Sequence, residues 1–179
     1  MTTTAARPLT PEQTEGPYWT PGSPARTNLR EADTKGEPFV VTGAVFNTRG
    51  EPVPSAWVDF WQCDGEGVYD NQGYHLRGHQ VTDAQGRYRL ETVVPSEYDD
   101  YLYSPEGERV KAYRTSHIHA KVKGPERITL TTQLYFPEAP GNEKDGIYVD
   151  QCLMEVTDGP NGREGHFDFV IRIGSNGLS

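Results

Sequence analysis

The sequence predicts an all-β protein: an antiparallel β-sandwich core with long loops and an irregular N-terminal arm. Three observations predict it. Short segments with alternating or continuous apolar residues recur along the chain, separated by turn signals. Turn formers are abundant, with 19 Gly and 14 Pro in 179 residues. No segment of useful length shows the 3.6-residue period of an amphipathic helix. A chain of this length fits one domain with a real core. We therefore expect a single domain over 1–179, with the arm over 1–38 and the sandwich over 39–174.

Residues 1–38 are rich in Thr, Pro, Gly and charge, which suits an arm without regular structure. Pro38–Phe46 is the first strand, closed by a turn over Thr48–Pro52. Ala56–Cys63 follows. Gln80–Thr82 and Arg87–Val93 flank Asp83-Ala-Gln-Gly86, a good hairpin turn. Further strands are expected over Ser116–Lys123, Ile128–Phe136, Gln151–Val156 and Gly165–Ile173. The last alternates cleanly, with Phe167, Phe169, Ile171 and Ile173 on one face and His166, Asp168, Val170 and Arg172 on the other. Segments 64–79, 94–115 and 137–149 read as long loops, where a rigid β scaffold usually carries its sites.

The formal net charge is -9 and the pI about 5.0. Such a surface argues against nucleic acid or anionic membrane as a partner, but a local Arg can still bind a carboxylate. No segment approaches a membrane span. The N-terminal Met-Thr-Thr-Thr-Ala-Ala-Arg-Pro has no apolar run, so neither a signal peptide nor an anchor is expected, and a cytoplasmic location follows. Cys63 and Cys152 both sit in apolar, strand-like runs and read as buried free thiols.

The most informative feature is the pair His117 and His119 in Arg114-Thr-Ser-His-Ile-His-Ala-Lys-Val-Lys123. Ile118, Ala120 and Val122 alternate with it, so both imidazoles project from one face of a strand, as two ligands to one metal must. Two tyrosines stand out by context. Tyr69 ends the Gly-rich Asp64-Gly-Glu-Gly-Val-Tyr69 after one strand, and Tyr98 ends Val93-Val-Pro-Ser-Glu-Tyr98 after another. A phenol titrates near ~10, and a hard, highly charged cation can take its proton and keep the phenolate. Ferric iron, Fe(III), suits two phenolates and two imidazoles. Zinc sites normally use Cys, His and carboxylates, and no Cys pair stands at zinc spacing here. With 10 Tyr in the chain, composition alone does not single out these two.

Several stretches together resemble the intradiol ring-cleavage dioxygenases, ferric enzymes that open catechols between the two hydroxyls. They are Thr10-Pro-Glu-Gln-Thr-Glu-Gly-Pro-Tyr-Trp19, Ala56–Tyr69, Leu76–Tyr88, Val93–Tyr98, Arg114–His119 and Leu130–Phe136. The resemblance implies a non-haem iron enzyme that inserts both atoms of O2 into a catechol-type diol and yields a cis,cis-muconate-type diacid. It implies Tyr69, Tyr98, His117 and His119 as the ligands, with Tyr98 the one that leaves when substrate binds and can take up its proton. Arg114 then stabilises negative charge on the ring, as a preorganised guanidinium can. Gln133 matches a polar residue near the oxygen-binding side. Thr14, Gly16 and Pro17 match an arm that approaches substrate in protocatechuate enzymes, and Trp61 and Ile147 match positions lining its ring pocket. His75, His79 and His166 are left as solvent-facing or supporting histidines.

The chain departs from the better-known subgroups. It lacks the helical N-terminal extension of the catechol enzymes, and it carries arm and ligand set on one chain where protocatechuate enzymes pair two. A single-chain or homo-oligomeric enzyme is expected, with the ring substituent open. The alternatives are a non-catalytic prealbumin-like β-sandwich binding module, which has no reason to keep these five residues together, and another metal enzyme using the His pair alone.

Overall fold

Alternation is realised as two packed sheets in the computed structural model, which describes residues 6–125, 129–160 and 162–173. Eleven strands are formed: β1 (Pro38–Asn47), β2 (Trp57–Trp61), β3 (Arg77–Val81), β4 (Arg87–Val93), β5 (Tyr98–Tyr103), β6 (Arg109–Arg114), β7 (His117–Lys123), β8 (Thr129–Tyr135), β9 (Glu155–Gly159), β10 (Gly162–His166) and β11 (Phe169–Ile171). One sheet centres on β1, which pairs with β4 on one side and with β10 and β11, in succession, on the other, β9 lying beyond β10. The second is antiparallel in the order β3-β2-β7-β8. The hairpin β5-β6 pairs only with itself. Most pairing is antiparallel, but β1 runs parallel to β10 and β11.

The core lies between the two larger sheets. Phe39, Val41 and Val45 of β1 and Leu90 of β4 face Val58 and Phe60 of β2 and Ile118, Ala120 and Val122 of β7. Phe167, Phe169 and Ile171 join them, as their alternation predicts, with Ile173 packed partly against the cluster. Cys63 and Cys152 are both buried and free.

Four expectations are corrected. Gly165–Ile173 is not one strand. The pairing with β1 is interrupted at Phe167–Asp168 without a change of register, and there the Asp168 carboxylate accepts the Ala44 N–H at 3.0 Å and the Tyr88 hydroxyl donates to the Phe167 carbonyl at 2.8 Å. Gln151–Val156 opens as a single 3-10 turn (Asp150–Cys152), and the strand starts only at Glu155. The 94–115 loop is largely the β5-β6 hairpin. The Asp83–Gly86 turn forms, with Gly86 N–H donating to Asp83 at 2.9 Å, but its arms part into different sheets, β3 with β2 and β4 with β1. Ile128 and Gly174, expected at strand and domain ends, lie outside the described residues, as do residues 1–5 of the arm.

The rest of the arm has no strand before β1, yet it is tied down along its length. It brackets Val170 through two Thr10 hydrogen bonds, crosses the outer face of the second sheet, and reaches β4 where Leu29 N–H donates to the Glu91 carbonyl. Among the described residues no helix is long and apolar enough to cross a membrane.

The tightest backbone approach is at Gly43. A Cβ there would meet the Phe167 carbonyl oxygen at 1.8 Å, which no side-chain rotation relieves. Gly43→Ala should therefore destabilise the fold by about 1–3 kcal/mol or more, seen as a lower urea midpoint with an unchanged slope.

Candidate metal centre

Strand register places a row of side chains across the outer face of the second sheet. Arg77 pairs with Trp61, Trp61 with His119, and His119 with Gln133. His117 pairs with Tyr135 one step along. Directly opposed residues share a face, so this row stands opposite the core. An outer face is normally wet, but His117 and His119 are each only 1% exposed. The arm, the 64–79 loop and the β5-β6 hairpin form the roof. Gln13 N–H donates to the Thr131 carbonyl at 2.8 Å, and the Trp19 indole and Ser23 hydroxyl bind Asp59 of β2 at 3.0 and 2.6 Å. Lys121 pairs with Glu15 and stands over the Trp19 ring.

Under this roof four donor atoms converge. Tyr69 Oη and Tyr98 Oη are 3.2 Å apart, Tyr98 Oη and His117 Nε2 3.4 Å, and His117 Nε2 and His119 Nε2 3.1 Å. His117 Nδ1 lies 2.6 Å from the Thr115 carbonyl, which can only accept, so Nδ1 carries the proton and Nε2 presents its lone pair inward. His119 Nδ1 is buried without a partner. Any hydrogen shared between the two Nε2 atoms must then belong to His119, and it leaves that ring's other lone pair orphaned. A cation among the four atoms satisfies both Nε2 lone pairs at once.

Electrostatics agree. Burial, with the Arg114 charge adding, holds His117 down at about 3, and burial, then the His117 and Arg114 charges, hold His119 well below its usual range. Both rings therefore stay neutral and able to coordinate. Burial pushes the Tyr69 and Tyr98 phenols up, Tyr69 further through its proximity to Tyr98. Ionising either requires a strong local positive charge, which a highly charged metal supplies. The Cys63 thiol, packed in the same cluster, is pushed up to about 12 by burial and the Asp64 charge, so it stays protonated.

Of the residues singled out in the sequence, Tyr69, Tyr98, His117 and His119 are brought together. Trp61 stacks on the His119 ring, with centroids 4.7 Å apart and planes 8° from parallel. Arg114 and Gln133 meet through the Gln133 side-chain carbonyl, while the Gln133 amide donates to the Thr14 carbonyl at 2.9 Å. Gly16, at φ +70°, puts its backbone over His119, where a Cβ would sit 3.7 Å from the ring. Pro17 follows it, exposed in the arm. Ile147 takes part through its backbone, accepting from the Tyr135 hydroxyl at 3.3 Å and donating to Asp145 at 3.1 Å. His79 bonds Ser23 and His166 pairs with Asp168, both away from the four donors. His75 bonds Thr34 and forms a peripheral group with Glu31 and Asp33, whose carboxylates are exposed.

Four residues were not singled out from the sequence. Asp145, 1% exposed in its side chain, takes the Arg114 Nε–H and the Thr115 N–H, each at 3.0 Å. Its only local signal is an acid between Lys144 and Gly146 in a long loop. The Tyr135 hydroxyl donates to the same Gln133 oxygen as Arg114, at 3.0 Å, and alternation with Gln133 on β8 places it on that face. Tyr18 stacks on Tyr69 with centroids 4.3 Å apart, next to the arm residues already noted. Arg77 is 1% exposed on β3 and bonds only backbone carbonyls.

Comparison with known proteins follows this geometry. A dioxygenase family matches residues 14–172. The catechol 1,2-dioxygenase of Candida albicans is 34% identical over 149 residues, covering 75% of this chain and 49% of that protein. The hydroxyquinol 1,2-dioxygenase of a Rhizobium species is 35% identical, covering 68% and 45%. The chain thus spans about half the length of the curated relatives it matches. Among solved structures, the dioxygenase domain of a dioxygenase carbohydrate-binding protein fusion from Streptomyces sp. SirexAA-E superposes with a TM-score of 0.80 at 44% identity, covering 93% of this chain and 100% of that one.

Arg114 depends on Asp145 for its place. Asp145→Ala leaves a buried guanidinium without its carboxylate and should cost about 3–5 kcal/mol. The Arg114→Met, Asp145→Ala double variant should recover part of that loss, since both charges leave together. Equal or additive losses in a double-mutant cycle on thermal unfolding would contradict the pairing.

Proposed function

Because the chain belongs to the intradiol ring-cleavage dioxygenase family, we propose that it inserts both atoms of O2 into a catechol-type diol, cutting between the hydroxyls to give a cis,cis-muconate-type diacid. Fe(III) is the cofactor, with Tyr69, Tyr98, His117 and His119 as its ligands. One observation carries the reading: two phenol oxygens and the Nε2 atoms of two neutral imidazoles converge in one buried site, at successive separations of 3.2, 3.4 and 3.1 Å. A sandwich that only binds has no use for this group, so the prealbumin-like module is not favoured. Zinc would leave the two phenols unexplained, since zinc sites draw on Cys, His and carboxylates.

When bound, the ferric ion supplies Lewis acidity that makes the diol hydroxyls easier to ionise and draws electron density from the ring. The protein's own groups do the rest. Tyr98, at the base of an exposed hairpin, holds its oxygen within 3.4 Å of both Tyr69 and His117, and can carry a substrate proton there. Arg114 stabilises negative charge that develops on the ring, and its burial makes that charge count for more than it would in water. Gln133 is fixed by its partners: its side-chain carbonyl oxygen accepts from Arg114 and Tyr135, and its amide nitrogen donates to the Thr14 carbonyl. It therefore aims Arg114 and anchors the arm in one arrangement. Thr14, Gly16, Pro17, Trp61 and Ile147 form the surrounding wall in this reading. One chain supplies the whole donor set, so a single chain or a homo-oligomer suffices.

The purified protein should hold about one iron per chain and show a visible phenolate-to-metal charge-transfer band. His119→Ala should lose both iron and turnover. Arg114→Ala should keep the iron and lose on the order of 10²–10³ in kcat, measured where both proteins are folded. A colourless protein carrying zinc would sink the assignment.

The substrate itself supplies the electrons, so turnover should need no added reductant. Isotope-labelled O2 should place both atoms in the muconate-type diacid product. A yellow semialdehyde product, or a requirement for NADH, would refute cleavage between the hydroxyls.

A further inference from the structure

We infer that Arg77 is a positioning residue that clamps the loop bearing Tyr69 to the arm that covers it, holding that phenolate in register for the metal. The inference rests on the proposed ferric centre. It comes from a buried cation that the proposed reaction does not otherwise use.

Arg77 is 1% exposed and makes no ion pair with a carboxylate among the described residues. Buried guanidinium groups are normally paired with acids, because removing the charge from water costs several kcal/mol per ion. Here Nε and Nη2 donate to the Asp70 carbonyl at 3.1 and 2.7 Å, and Nη1 donates to the Tyr18 carbonyl. Those two carbonyls bracket Tyr69. Asp70 is the next residue in the chain, and Tyr18 carries the ring stacked on Tyr69 at an interplanar angle of 17°. One fork thus joins the loop that bears the phenol to the arm that covers it. Only a planar donor fork reaches both at once, so Lys is not an equivalent.

Of the groups around the Arg77 guanidinium, Tyr69 interacts with its charge most, ahead of Asp70 and Asp59. The register carries the coupling across the sheet, since Arg77 opposes Trp61, which stacks on His119. The Asp70 carboxylate strengthens the frame by taking the Gln72, Gly73 and His75 N–H groups, which fixes the turn after Tyr69.

The test compares Arg77→Gln and Arg77→Lys with the unaltered protein, reading iron content, the rate of iron loss to a chelator, and the charge-transfer band per bound iron. Residues that orient a metal ligand typically cost 10- to 100-fold in metal affinity when replaced. We expect Arg77→Gln to lose iron to the chelator on the order of tenfold faster. Its band should move to longer wavelength, because a phenolate without a nearby cation gives up its electron more easily. Arg77→Lys keeps the charge but not the fork, so its band should stay in place while iron loss still accelerates. Bands and iron-loss rates equal to the unaltered protein, with only a lower unfolding temperature, would make Arg77 merely structural. If Arg77→Gln does not fold, an unchanged rate in Arg77→Lys still overturns the clamp. Absence of iron and band in the unaltered protein would instead overturn the ferric centre.

Discussion

The two-residue period of β7 is the constraint on which the rest depends. Ile118, Ala120 and Val122 must face the core, and this sends His117 and His119 to the other side together. A one-residue slip in register would exchange the two sets and abolish both the core and the site. The slip is resisted from two directions, by β2 with its inward Val58 and Phe60 and by β8 with its inward Leu130 and Leu134. The placement of the two imidazoles is therefore a by-product of core packing. The histidines are held as firmly as the apolar residues between them.

A polar face buried in this way must have every donor and acceptor matched. The arm answers that requirement without secondary structure of its own. Its carbonyls and side chains accept from Gln133, Arg77 and Lys121, and its Trp19 and Ser23 satisfy Asp59. The arm is thus part of the site and not a tail leading to it. Of the three buried side-chain atoms left unmatched among the described residues, His119 Nδ1 and Trp61 Nε1 lie on two stacked rings at the donor cluster, and Arg30 Nε lies in the arm. Two unsatisfied groups on neighbouring rings mark where function, more than stability, has set the residue choice.

Legibility in the sequence followed the range of the interactions. The strands whose alternation faces the core were readable from local pattern, as were the inward Phe167, Phe169 and Ile171. Strand β5, with Asp99, Asp100, three tyrosines and one leucine, shows no clean apolar alternation, and the hairpin pairs with neither larger sheet. It therefore read as loop. The break at Phe167–Asp168 depends on Ala44 and Tyr88, more than seventy residues away, and no local signal announces it. The same holds for Asp145, whose partners Arg114 and Thr115 are 31 and 30 residues distant. The His pair was legible from its spacing in a strand, whereas Tyr69 and Tyr98 were picked out by the resemblance of the stretches around them to a known family. The residues that hold them in place use common types in ordinary contexts, and only the folded arrangement shows what they do.

The two phenols are supported very differently, and the difference matches the roles proposed for them. Tyr69 is almost wholly enclosed. It has the stacked Tyr18 ring against it, Arg77 bonded to the carbonyls of the next residue and of Tyr18, and Asp70 closing the next turn. Tyr98 stands at the first residue of β5, opposite Arg114 at the last residue of β6. Beyond them the hairpin carries exposed Tyr101, Tyr103 and Val110. Segments with few buried apolar contacts open at the least cost in free energy. On the proposed roles, the ligand that must hold its position is thus built into the packed wall, and the one that must let go is placed at the root of the element least bound to the core. Because Arg114 shares that root but is anchored by Asp145, Tyr98 can shift without carrying the guanidinium away from the ring it is to stabilise.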